Sequence, residues 1–239
     1  MLIGHPMGCA GFIAIAPLLA TDYTVVTYDP RGFARSTIDD RDQDAEPDLL
    51  ADDVRRVLEA VGNGPAQMFG SSGGAVTGLA LVARHPGLVR TFIAHEPPLA
   101  RVLPEGEQAH AGFQEIYDTY RTSGAGAAWQ RFSTFTDVRL QRDDAGPPPS
   151  PETVAMSDRF FRHGLLPITL YEADVSVLRD APTRVVIAAG TSSEGQFPRR
   201  AAAALAKRLG KPLIEFPGAH VGFVTEPKEF AAVLRRALA

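Results

Sequence analysis

The chain has 239 residues, of which 45% are hydrophobic and 22% charged, with a net charge of −4 and a pI near 5.9. That length holds one large α/β core with an insertion. The balance leaves no basic surface for nucleic acid and favours small-molecule or protein partners. Cys9 is the only cysteine, so no internal disulfide can form.

The first twenty residues, MLIGHPMGCAGFIAIAPLLA, are apolar enough to imitate a secretion signal. No Lys or Arg precedes Arg31, however, and His5 and Pro6 interrupt the run, so a cytoplasmic chain is expected. No stretch reaches the roughly 18 apolar residues of a membrane span, and no membrane partner is expected.

Short continuous apolar runs at 2–4, 24–29, 66–70, 90–96, 184–190 and 212–218 read as strands buried on both faces. Between them, 48–62, 74–85 and 199–210 carry apolar residues at helical spacing. Strand and helix in alternation predict a mostly parallel sheet with helices on both faces, a three-layer α/β architecture. The alternation stops after Pro97 and resumes at Pro182. Helical patterns at 105–121, 126–137 and 152–174, with a loop at 143–151, predict a helical cap over 98–181, inserted into a core formed by 1–97 and 182–239.

GSSGG at 70–74 fits G-x-S-x-G only with Ser72 at its centre, because Ser71 would put Phe69 where a small residue belongs. A strand precedes the motif and a helix follows it. A nucleophile on such a turn needs tiny neighbours two residues away, since strand and helix backbones pass close together. The N–H of Gly73, at the helix start, can then point at a developing oxyanion. Alone, the pentapeptide also fits an ordinary turn. Two further stretches matter: LIGHPMG at 2–8, where the N–H of Met7 offers a second oxyanion donor, and EFPGAHVGF at 215–223, which delivers His220 directly after the last strand.

With these stretches in place, the chain resembles the α/β-hydrolase-fold superfamily, in its branch of serine hydrolases and esterases with a helical cap. His5-Pro6-Met7 is similar to that family's oxyanion loop, YDPRG at 28–32 to its D-x-R-G turn, and GSSGG to its nucleophile elbow. The resemblance implies a triad order of Ser then His, with His220 deprotonating Ser72 and the N–H groups of Gly73 and Met7 holding the oxyanion. Asp29 and Arg31 then order the loop beside the elbow.

Two departures stand out. The family's third triad member commonly follows the strand at 184–190, near Ser192 or Ser193, and serine cannot supply its charge. Glu96, at the end of the strand after the elbow helix, is the preferred acid, since a carboxylate at a buried strand end needs a partner. Glu194 is the alternative, and a dyad without an acid is a third possibility. The family also has two strands before the oxyanion loop, whereas this chain begins at the strand leading into it; a smaller sheet with an open edge and a shortened chain both fit.

The remaining candidates read as structural. His5 belongs to its loop, His95 to the core with hydrogen-bonded nitrogens, and Cys9 packs as a small apolar residue with no cationic neighbour. His85, His110 and His163 have no zinc-ligand spacing, and no nucleotide motif follows a strand, so neither metal nor cofactor is expected. Most aromatics of the insertion (Phe113, Tyr117, Tyr120, Trp129, Phe132, Phe135, Phe160, Phe161) should pack within it, and some should line an apolar pocket above Ser72. The expected function is a carboxylesterase acting on a small or medium ester, as a monomer or homodimer. The rival is a non-catalytic small-molecule binding protein on the same fold.

Overall fold

The structure, a computed structural model, describes residues 1–62, 64–138 and 149–239. Five strands, β1 (Leu2–His5), β2 (Ala66–Ser72), β3 (Val89–His95), β4 (Arg184–Gly190) and β5 (Leu213–Phe216), pair in that order in one all-parallel sheet. Successive residues of a strand point to opposite faces, and here both faces are apolar. Ile3, Met68, Phe92 and Ile187 enter one core; their neighbours Leu2, Phe69, Ile93 and Ala188 enter the other. Each large side chain buried in this way contributes about 1.5–3 kcal/mol.

The first face is covered by α2 (Pro47–Val61), α3 (Gly73–Arg84) and α8 (Phe197–Leu209), and the second by the short α1 (Ala16–Leu19), α9 (Gly222–Thr225) and α10 (Pro227–Leu238). The helices follow their residue pattern. In α10, Phe230, Ala231, Leu234 and Leu238 form one buried stripe, while α3, wedged between the sheet and α2, is buried on almost every side. Gly78 lets α3 lie against the sheet, because a Cβ there would fall 2.1 Å from the Phe92 ring.

The segment at 24–29 departs from the expected strand. It lies along the outer edge of β1 through a single bridge, Leu2 to Thr27, and one hydrogen bond from Leu2 N to the Val26 carbonyl (2.9 Å). Its partner strand is only four residues long, so apolar content alone could not extend the ladder. Its position is still informative: the chain leaves β1, passes outside it, and returns on the other side as β2. That reversal between β1 and β2 is the kind of point where open α/β sheets bind ligands.

Between β3 and β4 the chain runs through α4 (Gly106–Thr136), α5 (Pro151–Arg159), a π-turn at Phe160–Gly164, α6 (Leu165–Thr169) and α7 (Val175–Asp180). The expected break near 122–126 is a kink at Gly124 (φ 80°, ψ 176°) inside α4. The single helix expected over 152–174 is instead divided. After the π-turn, α6 stops at Thr169, and Asp174 caps a new helix by accepting from the N–H groups of Ser176 and Val177. The predicted loop at 143–151 lies largely outside the described residues.

Candidate active site

β2 ends at Ser72 and α3 begins at Gly73, with no intervening loop. Ser72 has φ 56° and ψ −126°, a backbone that costs a side-chain-bearing residue on the order of 1–3 kcal/mol and persists only where its surroundings impose it. The glycines impose it. A Cβ on Gly70 would lie 2.7 Å from the Gly74 carbonyl oxygen, and one on Gly74 only 2.4 Å from that of Ile3. Ser72 therefore stands at the carboxyl end of the sheet beside the first N–H groups of a 12-residue helix.

Glu96 follows directly on β3, whose register sets His95 beside Ser71. It is fully buried and has a φ of 49°, turned so that its N–H donates to the Ala188 carbonyl (2.9 Å). Its side chain is paired twice: Oε1 accepts from the Gly190 N–H (2.9 Å) and Oε2 from Nδ1–H of His220 (2.6 Å). Burial alone would raise this carboxyl. The His220 bond and charge, helped by His95 and the Gly190 N–H, outweigh burial and hold it down at about 2. An ionised carboxylate only accepts, so His220 carries its proton on Nδ1 and keeps the Nε2 lone pair free for a second partner.

The loop that carries His220 is pinned to β4. Ser192 N–H donates to the Gly218 carbonyl (2.9 Å), and a Cβ on Gly190 would strike the Gly218 and Ala219 carbonyl oxygens at 2.5 and 2.8 Å. Ser193, where the resemblance would put the acid, is fully buried with an unpaired hydroxyl, and Glu194 is exposed. Glu96, His220 and Ser72 thus occupy the carboxyl end of one sheet, while Glu194 faces solvent.

The loop after β1 is held by Asp29, whose Oδ1 accepts from the Cys9 N–H (2.8 Å) and whose Oδ2 accepts from Arg35 Nε (3.0 Å). Arg31 instead pairs with Asp53 of α2 and with Gln43. Met7 folds its side chain against Gly4 and Gly11. Two expectations are corrected here. Cys9 does have a cationic neighbour, with an Arg35 guanidinium nitrogen 3.4 Å from its sulfur, because the pairing of Asp29 to both the Cys9 N–H and Arg35 brings the two together. His95, expected to be hydrogen-bonded, is buried with both nitrogens unpaired among the described residues, enclosed by the rings of Phe69, Phe216 and Phe230. Burial lowers its pKa to about 4, so it remains neutral.

Among the aromatics of 98–181, Trp129 stacks on Phe160 (5.3 Å, 13°), Tyr120 on Phe161, and Phe113 and Phe135 meet Phe197 of α8. Phe160 also approaches His5, with centroids 6.5 Å apart. The hollows of about 490 and 380 Å³ lie among residues at the amino ends of the strands, on the opposite side of the sheet from Ser72.

Residues 2–227 match the family described as alpha/beta hydrolase fold. The chain belongs to that family. It is 34% identical over 227 residues to the uncharacterized hydrolase YraK of Bacillus subtilis (strain 168), covering 92% of this chain and 80% of that one. A zearalenone hydrolase from Bionectria ochroleuca is 26% identical over 227 residues, covering 91% and 80%. The esterase EaEST from Exiguobacterium antarcticum superposes with a TM-score of 0.76 at 16% identity, over 100% of this chain and 90% of that one; this likeness is of fold. Within this hydrolase family, no helix among the described residues is long and apolar enough to cross a membrane.

Proposed function

We propose that the chain is a serine hydrolase, a carboxylesterase that cleaves a small or medium ester through an acyl-enzyme. The observation that carries this reading is the 2.6 Å bond from His220 to a buried, doubly paired Glu96, at the same sheet end as a serine with φ 56°. In this mechanism Ser72 Oγ attacks the ester carbonyl as Nε2 of His220 takes its proton. Glu96 fixes the tautomer and stabilises the imidazolium without itself taking up the proton. The N–H groups of Gly73 and Met7 receive the oxyanion. The imidazolium then protonates the departing alcohol, and water, activated by the same nitrogen, releases the acid.

In this reading residues 98–181 form a cap over a core of 1–97 and 182–239. The aromatic side chains of the cap then favour a substrate with apolar parts. No step requires a metal or an organic cofactor.

The test is to treat the protein with a fluorophosphonate, measure intact mass, map the labelled peptide, and run Ser72→Ala beside it. A single adduct on Ser72, absent from the variant, is expected. A folded protein that leaves Ser72 unlabelled would overturn the proposal in favour of a non-catalytic binding protein, which would show ligand-dependent thermal stabilisation without turnover.

A further inference from the structure

The inference below rests on the serine-hydrolase reading and concerns the side of Ser72 that this mechanism leaves idle. In the sheet, β3, β4 and β5 lie on one side of β2 and β1 lies on the other. Glu96 and His220 belong to the first side. His5 ends β1 on the second, and the parallel register sets it opposite Ser72.

His5 is 3% exposed, and neither ring nitrogen has a hydrogen-bond partner among the described residues. Leaving a buried polar group unpaired costs about 1–3 kcal/mol, so this ring awaits a partner that the chain does not supply. The walls around it explain why. A Cβ on Gly73 would lie 3.0 Å from Nδ1, and one on Gly164, in the π-turn, 2.9 Å from Cε1 and 3.5 Å from Nε2. On both sides the neighbour is a glycine with no side chain to offer. Phe33, edge-on at 4.8 Å, and Phe160 add only apolar surface.

Burial, helped by the charge of Arg159, lowers the His5 pKa to about 3, so the ring stays neutral and offers one N–H and one lone pair. Arg159 gives its terminal nitrogens to the carbonyls of Arg41 and Gln43, while its Nε is buried and unpaired. The other unpaired histidine, His95, differs because phenylalanine rings from β2, β5 and α10 enclose it within the second core.

The direction of the reaction assigns the two sides. The alcohol leaves toward His220, which must protonate it, so the acyl part extends toward β1. We propose that His5 is a specificity-determining residue that hydrogen-bonds an oxygen function, carbonyl or hydroxyl, on the acyl part of the substrate. Preferred esters then carry such an oxygen close to the scissile carbonyl. No bond is made or broken at His5. It discriminates because an acyl chain without the oxygen leaves the ring unpaired.

Ethyl acetoacetate and ethyl butyrate test this, since they match in chain length and differ by a ketone in place of a methylene. With rates corrected for alkaline hydrolysis of each ester, the wild type should prefer the acetoacetate at least about tenfold in kcat/KM, or about 1.4 kcal/mol. His5→Leu should bring the ratio to within about threefold while leaving kcat on ethyl butyrate within severalfold, and His5→Gln, which keeps a donor, should retain part of the preference. An equal ratio in wild type and His5→Leu overturns the proposal. Fluorophosphonate labelling separates the two levels: an unchanged ratio with Ser72 still labelled sinks the His5 role alone, whereas an unlabelled wild type sinks the hydrolase reading and this proposal with it. Should His5→Leu fail to fold, protection of wild-type Ser72 from labelling decides. Stronger protection by the acetoacetate supports the proposal, and equal protection by the two esters overturns it.

Discussion

The two sides of Ser72 differ in how completely the chain satisfies its own polar groups. On the β3–β5 side, the Glu96 carboxylate is bonded at both oxygens and His220 is fixed through Nδ1, so this half is finished before any ligand arrives. On the β1 side, His5 is just as deeply buried, yet its ring touches only glycine and phenylalanine. A finished half suits machinery that must be the same for every substrate, because preorganised groups need not reorganise during reaction. An unfinished half suits selection, because only the right ligand completes it.

The largest expected effect removes what both halves serve. Ser72→Ala should lower ester hydrolysis by about 10⁴-fold or more, measured as kcat, with KM little changed. A fall of less than tenfold would mean that another group attacks. Next, Glu96→Gln should cost on the order of 10³–10⁴ in kcat by losing the charge opposite His220, whereas Glu194→Gln should stay within about twofold of wild type. The reverse ranking would break the comparison by moving the acid to the β4 loop.

Stability should follow the same division. Gly74→Ala, whose Cβ would meet the Ile3 carbonyl oxygen at 2.4 Å, should destabilise by about 3 kcal/mol or more in denaturant melts, since a backbone atom cannot move aside cheaply. His5→Leu removes two unpaired nitrogens and should be neutral or stabilising by about 1 kcal/mol, a rise of about 2–4 °C in Tm. A marked loss would show that His5 is already satisfied, by a bound water for instance.

The smallest effect is a pH signature on the finished half. The Glu96 carboxyl sits at about 2 in the folded state, below its ordinary 4.5, so its contribution is present above about pH 4.5 and is lost as pH falls toward 2. The difference in stability between wild type and Glu96→Gln should therefore shrink over that window. A difference constant from pH 6 to 2 would mean that Glu96 is not held ionised.

Much of this was legible in residue order. Tiny residues around Ser72, a histidine after the last strand and continuous apolar strands are local signals, and each has a local cause in backbone strain or two-sided burial. The segment at 24–29 misled because a strand needs a partner as well as apolar residues, and β1 offers only four. The helix expected over 152–174 misled because periodicity does not register a π-turn. Cys9 and Arg35 are 26 positions apart, and only folding brings them to 3.4 Å.

The sequence by itself determined the parallel α/β architecture, the elbow at Ser72 and His220 as its imidazole, because each depends on spacing within a few residues. It narrowed the acid to Glu96 or Glu194 and went no further. Tertiary structure decided which of the two meets His220, since that pairing spans 124 positions and depends on Glu96 turning at φ 49° to reach Gly190 and His220 together. It also decided that His5 has no partner. Which groups surround a buried ring depends on distant segments, here Gly73 and Gly164, whose significance lies in the side chains they lack.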